Sequence, residues 1–172
     1  MDYKEQAAEL EASAQFGDLI EFLYPIGYSH WGVYDGDGYV IHFAVADETN
    51  LMNSFRNCLQ AMFPVCGDLL LGETCIRRQL LTDVNVPKGA RLSVNNTCHG
   101  LEPSELLEIK KRRDVLLDRE LPYKIFTLNC EHFATYVRYG KSVCNQIPKR
   151  AKNKECAEAT KVFADIVWKE TS

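Results

Sequence analysis

The sequence lacks any hydrophobic run long enough to cross a membrane. No window approaches the 18 or more consecutive apolar residues that a spanning helix needs. The first 15 residues are polar and acidic, and they lack the basic segment and the apolar core of a secretory signal peptide. We therefore expect a cytoplasmic protein that reaches intracellular membranes only peripherally.

The sequence also lacks an excess of basic residues and any spacing of residues that is typical of a metal site. Lys and Arg number 20 against 24 Asp and Glu, for a net charge of −4, so no basic field attracts nucleic acid, and we expect no nucleic-acid partner. The seven cysteines are odd in number and form no CxxC pair and no Cys/His zinc spacing. We expect reduced cysteines, no metal and no cofactor.

The length and the hydrophobic content fit one domain. With 172 residues, 46% of them hydrophobic, the chain can bury a single sizeable core. Composition divides it into a polar segment at 1–15, read as a flexible arm or a frayed helix, a catalytic domain at 16–148, and a C-terminal segment at 149–172. The last segment has a weak helical pattern.

Alternation of apolar and polar residues predicts strands, and a period near 3.6 predicts helices, which together indicate an α+β fold with an antiparallel start. Residues 45–72 have weak periodicity and are interpreted as an insert or an active-site flap. The predicted strands are 17–23, 30–34, 39–44, 73–83 and 91–94, and the predicted helices are 103–119, with Leu106, Leu107, Val115, Leu116 and Leu117 facing inward, and 129–139.

Cys130 is the candidate nucleophile. Asn129 is a good N-cap residue and Gly140 a good terminator, so Cys130 falls in the first turn of a helix. Unpaired backbone N–H groups and the helix dipole favour an anion there, which predicts a lowered thiol pKa. The alternative is that Cys130 is a small buried hydrophobic residue, which is the commoner role of such a cysteine.

The sequence offers four candidate bases for this thiol, His30, His42, His99 and His132. His132 is two residues along the helix from Cys130, about 200° around the axis, so we predict a structural role for it. His30 and His42 flank a hairpin turn instead.

The loop length of that hairpin decides whether His30 and His42 share a face. An odd loop over residues 35–37 pairs the two histidines directly, whereas a two-residue loop pairs Trp31 with His42 and turns His30 to the opposite face. The triad hypothesis therefore requires an odd loop. His30 would then take the thiol proton, His42 would orient His30, and the Cys130 N–H with one unidentified donor would hold the oxyanion.

Two segments resemble the signature boxes of the lecithin:retinol acyltransferase-like family. GDLIE at 17–21, HWGVY at 30–34 and GDGYVIH at 36–42 are similar to its first box, and NCEHF at 129–133 with RYG at 138–140 is similar to its second. The resemblance covers residues 16 to 145. It implies a permuted papain-like (NlpC-type) fold with the nucleophile at a helix N-terminus.

The resemblance also implies a mechanism and substrates. It assigns Cys130 as a nucleophile that forms an acyl thioester, His30 as base and His42 as third member. Residues 77–81 and 123–124 resemble the phospholipase A/acyltransferase branch. That branch implies a phospholipid acyl donor, phospholipase A1/A2-type hydrolysis, and transfer to phosphatidylethanolamine amine or a lysophospholipid, without calcium.

Several alternatives stay open. FATY at 133–136 and the tail around Cys156 are similar to the retinol-acylating branch, so retinol is an alternative acceptor. A cysteine peptidase and a non-catalytic interaction domain rank lower. Family members usually end in a hydrophobic anchor, whereas this sequence stops after Trp168 and four polar residues, so either an anchor has been removed or the protein contacts membranes only peripherally. The basic run 110–113 is read as a solvated face, with anionic headgroups as its alternative ligand. The oligomeric state is open.

Overall fold

The core of the fold is a five-stranded antiparallel sheet, whose strands lie in the spatial order Thr74–Leu80, Tyr39–Val45, Ser29–Gly36, Leu19–Leu23 and Arg91–Val94. The computed structural model describes residues 1–45, 70–71, 74–146 and 152–172. Its elements are α1 (Tyr3–Ser13), β1 (Leu19–Leu23), β2 (Ser29–Gly36), β3 (Tyr39–Val45), β4 (Leu70–Leu71), β5 (Thr74–Leu80), a 3₁₀ turn (Leu81–Asp83), β6 (Arg91–Val94), α2 (Leu106–Leu116), β7 (Tyr123–Lys124), α3 (Cys130–Tyr139) and α4 (Lys152–Thr171). The predicted α+β class with antiparallel strands is confirmed.

The hairpin β2–β3 closes with two residues, not three. Gly36 pairs with Tyr39, and the intervening Asp37 and Gly38 have φ of 52° and 81°. Positive φ at both positions is typical of the tight two-residue hairpin turn, in which Asp-Gly is a favoured pair. The register shifts by one residue between Tyr34 and Gly36, so a bulge accompanies the turn.

Because of the bulge, His30 and His42 lie on the same face of the sheet, as the triad hypothesis requires. Beyond the bulge, Gly32 and not His30 pairs with His42, so the predicted direct pairing of the two histidines is wrong. His30 is two residues from Gly32, and side chains two apart on a strand share a face, so His30 and His42 still lie on the same side. A Cβ on Gly32 would meet Val40 Cγ2 at 2.5 Å, so only glycine fits between the strands here.

Residues 3–13 form the helix α1, so the N-terminal segment is helical, which was one of its two predicted structures. Asp2 and Glu5 form a capping box at its start, in which each side chain bonds the other's backbone N–H. Ala7 and Leu10 are buried, and the helix packs on β6. The helix is therefore held by the domain rather than projecting as a flexible arm.

Helix α2 is shorter than predicted, and it buries only some of the residues that were expected to face inward. Leu106 and Leu107, expected to face inward, are 63% and 81% exposed, so that prediction is wrong. The buried stripe consists of Leu116, which was predicted to face inward, and Ile109, which was not. The positions between them on this face belong to the basic run, which is why hydrophobic periodicity misplaced the stripe.

Two residues of the basic run bind the protein rather than solvent or lipid. Arg112 donates to the Ser104 hydroxyl at 2.9 Å and to the Val137 carbonyl at 3.1 Å. Arg113 forms an ion pair with Asp35 at 3.1 Å. The interpretation of 110–113 as a solvated face is therefore wrong for both arginines.

Helix α4 packs on α2 and α3 through one stripe, while the opposite side stays exposed. Cys156, Ala159, Phe163 and Val167 are buried, whereas Trp168 is 72% exposed. Among the described residues, no helix combines the length and the apolar character that crossing a bilayer requires. The predicted insert or flap at 45–72 lies outside the described residues, apart from position 45 and residues 70–71, which pair with β7.

Candidate active site

The N-terminus of α3 forms as the sequence predicts. Cys130 is its first residue, and the N-cap Asn129 accepts a hydrogen bond from the His132 N–H at 3.0 Å. His132 Nδ1 accepts from the Asn129 N–H at 3.2 Å, which completes a capping box. Gly140, with φ of 75°, ends the helix. Local capping chemistry therefore fixes where Cys130 sits.

His132 packs in the interior of the fold. It is fully buried, and its Nε2 lies 3.7 Å from Cys156 Sγ on α4. Burial lowers the pKa of His132 to about 4, although the carboxylate of Glu131 opposes this shift. The structure thus agrees with the predicted structural role.

The thiol of Cys130 is buried against strand β2. The Trp31 backbone N–H hydrogen-bonds the sulfur, and the Tyr28 hydroxyl lies 3.4 Å from it. Burial nevertheless raises the thiol pKa above its ordinary value, although hydrogen bonds from Tyr123, Tyr28 and Trp31 lower it. The expectation of a lowered pKa is therefore wrong, and the resting thiol is protonated at neutral pH.

Two tyrosine hydroxyls surround the thiol, and the sequence analysis missed both. The Cys130 backbone N–H donates to the Tyr123 hydroxyl at 3.1 Å, and the hydroxyls of Tyr123 and Tyr28 are 3.4 Å apart. Tyr123 is held by the pairing of β7 with β4 and by its ring contact with Phe43, at 4.8 Å between centroids. Tyr28 immediately precedes β2, two residues before His30, which was the available signal.

The two predicted histidines meet. His30 Nε2 and His42 Nδ1 are 2.7 Å apart, and both residues are buried. Burial lowers the pKa of His42 to about 3, with further lowering by His30 and Arg77, while a hydrogen bond from His42 to the Gln79 oxygen opposes it. His30 adjoins Trp31, whose N–H bonds the thiol, so Cys130 lies beside β2, the strand that carries His30, while His42 is on the neighbouring strand β3.

A buried carboxylate lies next to Cys130 in the chain. Glu131 has no exposed surface, and its Oε2 lies 2.7 Å from His99 Nε2 and accepts from the Asn145 backbone N–H at 2.9 Å. Its other oxygen accepts from the Gln146 amide at 3.2 Å. The carboxylate therefore connects the start of α3 to the segment that follows it.

Gln146 extends this network to β2. Its Oε1 accepts from the Ser29 N–H at 2.6 Å, and its Nε2 donates to the Ser29 carbonyl at 2.7 Å. Ser29 directly precedes His30. The chain segments that carry Cys130 and His30 are thus joined through Glu131 and Gln146. The contact between Gln146 and Ser29 links residues 117 positions apart, which local sequence patterns do not reveal.

Because His42 and His132 are buried in their neutral forms, we expect acid to destabilise the protein. Their folded-state pKa values, about 3 and about 4, lie below the ordinary 6.5, so the unfolded state binds more protons below that pH. The stabilisation is complete above about pH 6.5 and falls by up to about 1.4 kcal/mol per pH unit and histidine as the pH drops toward 4.

Urea unfolding measured at several pH values in this window tests the expectation. His132→Gln, which keeps an acceptor for the Asn129 N–H, should flatten the pH dependence. A free energy of unfolding that does not change across the window would contradict the burial of neutral imidazoles.

Comparison with known proteins places the chain in a family. Residues 12–143 match the family described as Lecithin retinol acyltransferase. The chain is 37% identical over 134 residues to human phospholipase A and acyltransferase 4, covering 77% of this chain and 74% of the relative. It is 36% identical over 134 residues to human phospholipase A and acyltransferase 2, covering 77% and 75%. The chain therefore belongs to the lecithin retinol acyltransferase family, within its phospholipase A and acyltransferase branch.

Proposed function

We propose that this protein is a thiol-dependent phospholipid acyltransferase and phospholipase A that forms an acyl thioester on Cys130. One observation carries the proposal: a thiol at a helix start lies against β2, the strand that carries His30, and His30 contacts His42 through their ring nitrogens. The relatives' names, phospholipase A and acyltransferase, support the class of donor. The chain order also supports a permuted papain-like fold, because the histidine strands β2 and β3 precede the cysteine helix α3.

In the acylation step His30 takes the proton of the Cys130 thiol, since the thiolate and not the thiol attacks a carbonyl. The sulfur bonds to the ester carbonyl carbon, and the C–O bond to the glycerol oxygen breaks. His30 then gives its proton to that oxygen, which leaves as the hydroxyl of a lysophospholipid. The neutral His42 holds the ring of His30 throughout.

The tetrahedral intermediate needs hydrogen-bond donors around its oxyanion. The Cys130 backbone N–H is one, once the substrate oxygen takes the place of the Tyr123 hydroxyl that it now contacts at 3.1 Å. Tyr28, whose hydroxyl lies 3.4 Å from the sulfur, supplies the second. This fills the position that the sequence analysis left unassigned.

Deacylation reverses the roles. His30 removes a proton from water, from the amine of phosphatidylethanolamine or from a lysophospholipid hydroxyl, and that atom attacks the thioester carbon. The C–S bond breaks, and the proton returns from His30 to the sulfur. Because the lipid donor and the lipid acceptors reside in a membrane surface, the protein works at that surface.

Intact-mass spectrometry after mixing with a short-chain phosphatidylcholine tests the proposal. We expect the mass to rise by one acyl group, located on Cys130 by peptide mapping and discharged by hydroxylamine. Cys130→Ala should show no adduct, whereas Cys98→Ala, which removes an exposed thiol, should behave as the parent. No adduct in the parent, together with unchanged hydrolysis in Cys130→Ala, would refute it.

The acceptor is identified by adding one candidate at a time to the acylated protein. Faster loss of the adduct with phosphatidylethanolamine or a lysophospholipid, with the acylated product recovered, supports transfer as well as hydrolysis. Discharge by retinol alone would instead support the retinol-acylating alternative. Turnover of peptides without lipid would support a peptidase.

A further inference from the structure

We propose that Gln79 is a positioning residue that fixes the proton positions of the two histidines, so that His30 can act as the base. The inference rests on the proposed function, because it assigns a purpose to the same site. Its observation is the contact of 2.7 Å between Gln79 Oε1 and His42 Nε2. The hydrogen-bonded series thus continues beyond His42 to a fourth side chain.

The sheet places Gln79 where it can reach His42. Strand β5 pairs with β3 so that Arg77 is opposite His42 and Gln79 is opposite Val40. Paired residues share a face, as do residues two apart, so Gln79 lies on the side that carries both histidines. Its backbone belongs to a regular strand, which limits how far the amide can move.

The amide oxygen determines the tautomers. A carbonyl oxygen only accepts, so His42 Nε2 must carry the proton and His42 Nδ1 must have the lone pair. His42 Nδ1 then accepts from His30 Nε2–H across the 2.7 Å contact. With its single proton on Nε2, a neutral His30 keeps the lone pair of Nδ1 for the thiol proton.

The opposite amide orientation would disable this arrangement. If the Gln79 N–H donated to His42 Nε2, the His42 proton would lie on Nδ1 and be donated to His30 Nε2. The proton of neutral His30 would then lie on Nδ1, the nitrogen that has to accept from Cys130. The orientation of one amide therefore decides whether His30 is a base or a donor.

Because the hydrogen-bonded series ends in the amide of Gln79, the positive charge that the Cys130 proton brings stays on the histidine pair. Gln79 accepts a hydrogen bond but contributes no negative charge, whereas a carboxylate at the same position would favour protonation of the imidazoles. Among the residues that the structure describes, the charged and titratable groups that act on His42 are His30 from β2 and Arg77 from β5, and both disfavour a second positive charge there. The proton from Cys130 consequently stays on His30, from which it reaches the leaving oxygen.

Two substitutions at Gln79 separate these roles in the full-length protein. Gln79→Met keeps the size but removes the acceptor, and we expect kcat to fall on the order of 10- to 100-fold with little change in KM. Gln79→Glu keeps the acceptor and adds a negative charge, so it should retain activity and move the acidic limb of the pH profile upward, because a carboxylate favours the protonated imidazole. Gln15→Glu, an exposed control with the same charge change, should leave the profile where it is.

A second measurement keeps the test independent of turnover. Nitrogen-15 NMR of the imidazole rings reports which nitrogen carries the proton, and we expect the Nε2-protonated form for both histidines in the parent and a mixture in Gln79→Met. Unchanged kcat, pH profile and ring signals in Gln79→Met would overturn the inference. If Gln79→Met does not fold, an unmoved acidic limb in Gln79→Glu would do so. Absence of the Cys130 adduct in the parent would instead refute the proposed function, while the NMR result would still judge Gln79.

Discussion

His30→Ala is expected to lower kcat/KM for phospholipid ester cleavage on the order of 10³-fold at neutral pH, the usual contribution of a positioned general base. The reason is the state of the thiol. Burial raises the pKa of Cys130, so at neutral pH the sulfur is protonated and a base has to remove its proton. No alternative base is provided by His132, which lies against Cys156.

The pH dependence makes this prediction specific. In His30→Ala the residual activity should keep rising as the pH approaches the raised pKa of the thiol, because hydroxide then forms the thiolate directly. The matched control is His132→Ala, which removes an imidazole from the other side of α3. It should keep most of its activity at temperatures where the helix remains folded. Full activity in His30→Ala, or loss only in His132→Ala, would contradict the assignment.

Glu131→Ala should cause the largest loss of stability among single substitutions near the site. Glu131 has no exposed surface and forms hydrogen bonds with His99, Asn145 and Gln146, so its removal leaves several buried polar groups without their partner. Breaking a buried pair of this kind costs about 3–5 kcal/mol of unfolding free energy. For a chain of this size the midpoint of thermal unfolding should fall on the order of 10 °C.

Thermal unfolding followed by circular dichroism measures this effect. Glu131→Gln retains an acceptor and the side-chain volume, so it should lose less than Glu131→Ala. Glu158→Ala removes an exposed carboxylate, 4.0 Å from Lys154, and should change the free energy of unfolding by less than about 1 kcal/mol. A midpoint for Glu131→Ala equal to that of Glu158→Ala would show that the buried network adds nothing to stability.

The parts of the fold that follow from neighbouring residues could be predicted from the sequence. The start of α3 depends on Asn129 and His132, and its end depends on Gly140, all within one helix length. The shared face of His30 and His42 depends on strand alternation, a short turn and the bulge beside that turn. Even there, the bulge was not foreseen, because it reflects the twist and packing of the finished sheet.

The other features depend on contacts between distant parts of the chain. Tyr123 reaches the thiol through the pairing of β7 with β4, and Gln79 reaches His42 across two paired strands. The sign of the Cys130 pKa shift was mispredicted because helix-terminal donors are visible in the sequence, whereas burial of the sulfur is not. A polar residue in a strand or a loop has no local signature of such a role.

The bulge at Asp35 restricts how the number of residues in the hairpin loop can change. Because strand alternation has a period of two, inserting or deleting one residue between Tyr34 and Val40 would turn one histidine to the opposite face, whereas a change of two would not. Hairpin tips usually tolerate length changes one residue at a time. In this protein, the loop length can change only by two residues at a time if His30 and His42 are to stay on one face. The length of this surface turn is therefore constrained by the chemistry of the buried site.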